Sequence, residues 1–314
     1  MTINCIIGIG GMVASHLCDY ILEKNESIIG TYRWQEDLSR IKNVEDRIKM
    51  VSVDLLDLSS IIRCFADNKP DYIYSLFAQS YVGDSFTNPI ITIETNSLGT
   101  VNLLEAVRIV RDYIHKDWDP IIHVCSSSEY YGKVFDSELP IVENSPPRPG
   151  NQYALGKVGA DFAADFYYKY YGIKTIRSRA FTHTSSRRTM NSAEVNFAKQ
   201  IARAEKSLQL PIIKHGNLQS KRTWCHATDA AHAYWLLVRK CKPGEVYNVA
   251  GDEVKTIGEA LDYLISLSYI KEKLYKEVDP KLLRNVDVDM QIVDCTKFKS
   301  ETGWKPEISF EDIM

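Results

Sequence analysis

Through residues 1–180 the chain alternates short β-branched runs with longer amphipathic ones, and this regular alternation leaves few folds open. Residues 4–8 read as a buried strand and 12–24 as a helix, with Val13, Leu17 and Ile21 at helical spacing. Further strands are predicted at 27–32, 50–53, 71–77, 120–125 and 174–179, and helices at 58–66, 90–114 and 153–171. Such a succession implies a parallel sheet covered by helices on both faces, and right-handed crossovers make it doubly wound. The class is α/β. The last third is less regular. It has helical runs at 192–207, 227–240 and 256–268, the last from a Thr256 cap, and strands at 211–215 and 245–249. Residues 181–314 are expected to form mainly a smaller lobe, with a strand in 241–250 returning to the first unit, residues 1–180.

Composition removes several alternatives. A net charge of −3 gives no basic field for nucleic acid. No apolar run approaches the roughly 20 residues that cross a bilayer, and the first residues lead directly into a strand, so neither a membrane span nor a signal peptide is expected. The seven Cys residues are odd in number and widely spaced, which reads as reduced thiols in a cytoplasmic protein. The seven His residues show no metal-site spacing, and no metal is expected.

The first strand runs into Gly8-Ile9-Gly10-Gly11-Met12-Val13-Ala14. Small residues at 8, 11 and 14 let a strand-to-helix turn approach a pyrophosphate, which the free N–H groups of the helix then hold. A tight turn without a ligand would use the same residues, but strand before and helix after are the context that a dinucleotide site of the Rossmann type needs. After the second strand, where a ribose diol usually meets an acid, the chain has Arg33. Arginine could pair with a 2′-phosphate or stack on adenine, so NAD and NADP both stay open. Asp54, after the third strand, is placed to reach adenine.

Tyr153 and Lys157 are four apart at a helix start and share one face. Such a pair suits hydride chemistry: the phenol moves a hydroxyl proton, and the ammonium lowers the phenol pKa and holds a ribose. The fifth strand ends in Ser126-Ser127-Ser128-Glu129. There a hydroxyl can bond a reacting oxygen and a carboxylate can move a carbon-bound proton.

With these features in order, the chain resembles the extended short-chain dehydrogenases acting on sugar nucleotides, and among them the GDP-mannose 4,6-dehydratase and GDP-6-deoxy-4-keto-hexose reductase group. The likeness runs almost end to end. It is carried by Gly30-Thr31-Tyr32-Arg33-Trp34, Pro70-Asp71-Tyr72-Ile73-Tyr74, Ala78-Gln79-Ser80-Tyr81-Val82, Asn96-Ser97-Leu98-Gly99-Thr100, Val195-Asn196-Phe197-Ala198-Lys199-Gln200-Ile201 and Thr302-Gly303-Trp304-Lys305-Pro306. The resemblance implies a tightly held NAD, with NADP left open, contacted by Gly8, Gly11, Met12, Val13, Arg33, Asp54, Leu55, Ala78, Gln79, Tyr153 and Lys157. It implies that Ser127 and Tyr153 meet the sugar C4 oxygen, that Lys157 meets the nicotinamide ribose and that Glu129 is the acid–base residue of dehydration. Substrate contacts would come from Ser80, Val82, Ser128, Thr182, His183, Asn196 and Lys199, with Arg222 and Arg284 clamping the diphosphate. Helices 90–114 and 153–171 would pair across a two-fold into a homodimer, and Arg187-Arg188 resembles a segment used for tetramers.

Departures from the family pattern are Ile7 where Thr is usual, Ala14 for a third Gly, Thr182 for Asn, and Ser127 where dehydratases carry Thr. The last two favour an oxidoreductase that stops at the 4-keto sugar, as in the branch that oxidises GDP-manno-heptose for bacterial capsules. The 4,6-dehydratase and the 4-keto reductase are the alternatives. A dinucleotide-binding regulator without catalysis would lack Tyr153 or Lys157, and both are present.

Overall fold

The computed structural model describes residues 2–283 and 290–314. The first strand, β1 (Ile3–Ile7), is followed by α1 (Met12–Glu23), β2 (Ser27–Tyr32), β3 (Lys49–Ser52), α2 (Leu58–Asn68) and β4 (Tyr72–Ser75). Next come α3 (Val82–Thr87), α4 (Pro89–Ile93), α5 (Gly99–Ile109), β5 (Ile121–Cys125), α6 (Gln152–Tyr171) and β6 (Thr175–Ala180). The remaining elements are β7 (His183–Thr184), α7 (Ala193–Glu205), β8 (Ile212–His215), β9 (Lys221–His226), α8 (Ala227–Lys240), β10 (Val246–Val249), β11 (Glu253–Thr256), α9 (Ile257–Ser266), β12 (Tyr275–Val278), β13 (Met290–Gln291), α10 (Thr296–Thr302) and α11 (Phe310–Ile313).

Among the described residues one sheet runs β10-β6-β5-β4-β1-β2-β3, parallel throughout. Cys5, Ile6 and Ile7 are buried in succession, as a strand covered on both faces requires. One face packs Leu17, Ile21, Tyr234 and Leu237 of α1 and α8. The other packs Ile61, Phe65, Leu103, Leu104, Val107 and Ala164 of α2, α5 and α6. Strand order reverses between β1 and β4, so connections leave in opposite directions and a crevice opens at the carboxyl ends. The expected Rossmann sheet is therefore present. β10 lies beside β6, although some 65 residues of chain separate the two.

Two departures from the sequence reading have physical causes. Residues 90–114 are helical, but π-turns interrupt them at Glu94–Leu98 and Val110–Ile114. The smaller pairings β9 with β11 and β8 with β12 were not expected. β11 and β12 are only four residues long, are largely exposed and carry Lys and Glu, so they lack the apolar signal of a central strand. The predicted Thr256 cap is present as a reciprocal box: Glu259 N–H donates to Thr256 Oγ1 at 2.9 Å, and Thr256 N–H to Glu259 Oε2 at 2.7 Å. No helix among the described residues is long and apolar enough to cross a membrane.

Candidate active site

β1 delivers the chain into a turn that only glycine suits. Gly8 has φ +80°, and a Cβ there would stand 3.1 Å from the Phe77 backbone. Gly11 N–H closes the turn onto the Gly8 carbonyl at 3.1 Å, and Gly11 caps α1 without a side chain. No acidic residue occupies the first turn of α1, so its free N–H groups are left for an anion. From the far side, Arg40 donates to the Gly10 carbonyl at 2.9 Å.

This turn is one wall of a cleft of about 1250 Å³. Gly8, Gly11, Met12, Val13, Arg33, Asp54, Leu55, Ala78 and Gln79 line it, as do Ser80, Val82, Ser127, Ser128, Glu129, Tyr153, Lys157, Thr182, His183, Asn196 and Arg222. The loop after β4 is held by a residue that the π-turn presents: Asn96 Oδ1 accepts the Gln79 N–H at 2.9 Å, and Asn96 Nδ2 donates to the Gln79 carbonyl at 3.1 Å. Gly156 lets α6 close on the same residue, since a Cβ there would come 2.9 Å from Asn96 Cβ.

One predicted residue stands elsewhere and another is not described. Lys199 is a correction: it is exposed on the outer stripe of α7 with Val195, Ala202 and Lys206, bordering a separate shallow groove, whereas Asn196 borders the cleft. Arg284 lies outside the described residues.

Tyr153 and Lys157 stand on the first turns of α6, which Asn151 caps by accepting the Ala154 N–H at 2.8 Å. The other end of the Asn151 amide donates to Glu129 Oε2 at 3.0 Å. Ser127 Oγ accepts the Glu129 N–H at 3.2 Å and tightens the turn after β5. A buried cation ties this turn to the helix. Arg179 grips Asp161, two turns beyond Tyr153, at 2.9 and 3.1 Å, and its guanidinium sits 3.5 Å from the Tyr130 ring centre. Paired in this way, the buried charges of Arg179 and Asp161 are tolerated.

Electrostatics differ from the expectation in one respect. Burial pushes the Tyr153 phenol up, while Ser127 and Arg188 pull the other way less strongly. Burial also lowers Lys157, whose Nζ donates to the Cys125 carbonyl at 2.8 Å. The expected lowering of Tyr153 by Lys157 thus gives way to a rise, because both groups are withdrawn from water and the ammonium is turned to the backbone. On the opposite wall, His183 Nδ1 bonds the Phe181 carbonyl at 2.8 Å, and burial lowers its pKa to about 4. Gln200, on the Asn196 side of α7, clasps the Lys214 backbone through two hydrogen bonds of 2.8 and 3.0 Å. Among the described residues no group of three or more His, Cys, Asp or Glu could hold a metal ion.

Asn96, Asn151 and Arg40 were not singled out by the sequence reading. A signal existed for Asn151, since Asn directly before an apolar helical run is a cap signature.

The family model described as GDP-mannose 4,6 dehydratase matches residues 5–314. The chain belongs to that family. Family members depend on NAD(P), and the glycine turn, the uncapped α1 and the cleft fit such a dinucleotide. Among curated members, GDP-mannose 4,6 dehydratase 2 of Arabidopsis thaliana is 32% identical over 99% of this chain and 84% of its own. GDP-mannose 4,6-dehydratase of Yersinia enterocolitica is 31% identical over 98% of this chain and 90% of its own. Of solved structures, RMD from Pseudomonas aeruginosa complexed with NADPH superposes with a TM-score of 0.83 at 25% identity, covering 100% of this chain and 96% of that one. UDP-glucose 4-epimerase of Thermus thermophilus, in complex with NAD, gives 0.84 at 23%, over 99% and 96%, and bears on the fold alone.

Proposed function

We propose that this family member oxidises C4 of a GDP-linked manno sugar and carries the reaction on to the 4,6-dehydrated product. The observation that carries this reading is Glu129, which lines the cleft with Tyr153 and Ser127 and whose carboxylate is held by Asn151 at 3.0 Å. The Asn151 N–H orients this carboxylate, a group that can take a carbon-bound proton.

Bound nicotinamide would accept the C4 hydride and later return it to C6. Tyr153, as the phenolate that the positive charge of a bound oxidised nicotinamide would favour beside it, takes the C4 hydroxyl proton as the carbonyl forms, and Ser127 supports that oxygen. Lys157 orients the ribose from its place on the Cys125 carbonyl. Glu129 removes the C5 proton, which the new C4 carbonyl acidifies, and hydroxide leaves C6 as water with one proton from the protein. The hydride then adds at C6 and a proton at C5, so the net change is loss of one water. Arg222, which lines the cleft from β9, is assigned to the diphosphate.

A second reading stops after C4 oxidation. Ser127 favours it, since dehydratases of the resembled group carry Thr there. Incubation with GDP-mannose or a GDP-manno-heptose and NAD(P)+, followed by mass spectrometry, separates the two: loss of one water supports dehydration, loss of two hydrogens supports the dehydrogenase, and an unchanged sugar overturns both.

We further infer a homodimer. Support comes from Ile90, Leu98, Tyr113, Leu155, Phe162 and Phe166, large apolar side chains left exposed along α4, α6 and the π-turns.

A further inference from the structure

Arg33 leaves β2 at the mouth of the cleft, but the side chain that turns back over the glycine turn is Glu36. Its Oε2 accepts the Arg33 N–H at 2.9 Å, and its own N–H returns to the Arg33 carbonyl at 2.9 Å. Gln35, inside this closed loop, takes φ 63°. The other carboxylate oxygen lies over Gly10: a Cβ on Gly10 would stand 2.7 Å from Glu36 Oε1. Arg40, the neighbouring cation, spends its Nη1 and Nε donors on the Gly10 and Arg187 carbonyls at 2.9 and 2.7 Å. Arg33 itself is exposed. The adenosine ribose of a dinucleotide lies between the glycine turn and the end of the second strand. At that place the backbone fixes an anion, and Arg40 beside the turn has its Nη1 and Nε donors on carbonyls.

We infer that Glu36 is the specificity-determining residue that makes this chain prefer NAD to NADP. Its carboxylate accepts hydrogen bonds from the ribose hydroxyls, and it repels a 2′-phosphate, which carries close to two negative charges at neutral pH. The inference rests on the cleft being a dinucleotide site and is independent of which sugar is turned over. The solved relatives include one complex with NADPH and one with NAD, so likeness does not make the choice.

The test is calorimetric titration of the full chain, stripped of any co-purified nucleotide, with NAD+ and with NADP+. The wild type is expected to bind NAD+ at least tenfold more tightly. Glu36→Gln, which keeps the shape and removes the charge, should tighten NADP+ and bring the ratio within about threefold. Equal or tighter binding of NADP+ by the wild type overturns the inference, and so does an unchanged ratio in Glu36→Gln. Binding of neither dinucleotide overturns the cofactor site itself, and the inference with it. Should Glu36→Gln fail to fold, Glu36→Ala, which removes the same carboxylate, is titrated and its ratio read by the same criterion.

Discussion

One side chain, Asn151, both caps the helix that carries Tyr153 and hydrogen-bonds the carboxylate of Glu129. Its Oδ1 accepts the Ala154 N–H at 2.8 Å and its Nδ2 donates to Glu129 Oε2 at 3.0 Å. The two halves of the amide can be separated by mutation. Asn151→Asp keeps a good cap but replaces the hydrogen-bond donor to Glu129 with a second carboxylate, so thermal stability should change little while formation of the dehydrated sugar falls about tenfold or more. Asn151→Ala loses the cap as well and should cost about 1 kcal/mol in denaturant unfolding. An unchanged rate in Asn151→Asp would show that the Asn151 contact to Glu129 is not needed in the reaction.

Tyr153→Phe removes the group assigned to the C4 hydroxyl proton and leaves the glycine turn intact. Turnover should fall by about 10²–10⁴-fold, with NAD(P) affinity within a few-fold of wild type by fluorescence titration. Turnover near the wild-type rate would remove Tyr153 from the chemistry.

Glu129→Gln separates the two halves of the reaction. Reduced nicotinamide should still form when GDP-sugar is added, read at its absorbance band. The dehydrated sugar should be absent from the product mass spectrum. Continued water loss in this variant would assign the C5 proton to another base.

Three histidines make the fold acid-sensitive. Burial lowers His16 to about 4, His123 to about 3 and His183 to about 4. Unfolded, each would take a proton near pH 6.5. Between about pH 6.5 and 4 the unfolded chain therefore binds more protons than the folded one, so stability is complete above that window and falls as pH drops through it. Urea midpoints should fall steeply from pH 7 to pH 5. His123→Gln should flatten part of that slope, because His123 is fully buried, with its Nε2 on Ser178 Oγ at 2.7 Å. A midpoint independent of pH across this range would contradict the assignment.

Phe166 projects from α6 beside Tyr170, ring centres 4.7 Å apart, and stays half exposed. Phe166→Glu should convert a dimer to a monomer in light scattering at micromolar concentration without unfolding it. A wild type that is already monomeric would remove the proposed interface.

Much of this architecture could be read from residue order. β-branched runs at even intervals specified the parallel sheet, and the order of glycine turn, Ser127 and Glu129, then Tyr153 and Lys157 placed those residues on one cleft. What escaped the reading depends on how elements meet. Lys199 follows Asn196 by three residues, a spacing that shares one side of a helix, yet it borders the outer groove of α7 while Asn196 borders the cleft. Asn96 matters because a π-turn aims it at Gln79, and no period in the sequence announces a π-turn. Glu36 acts at a turn 26 residues earlier in the chain, which only the folded loop reveals. The Tyr153 pKa depends on burial, and the spacing to Lys157 is silent on that.

The arrival of β10 at the flank of β6 has a consequence for synthesis. β6 is complete when residue 180 has left the ribosome, but its hydrogen-bonding neighbour spans Val246–Val249. Until then the nascent chain exposes an unpaired strand border, the kind of surface that recruits other chains. Arg177 waits on the same event, since its guanidinium is completed by the Gly244 carbonyl at 2.7 Å. The sheet that begins at the amino terminus is thus completed by residues translated well after β6, so termination before residue 249 removes a strand of that sheet as well as the segments that follow.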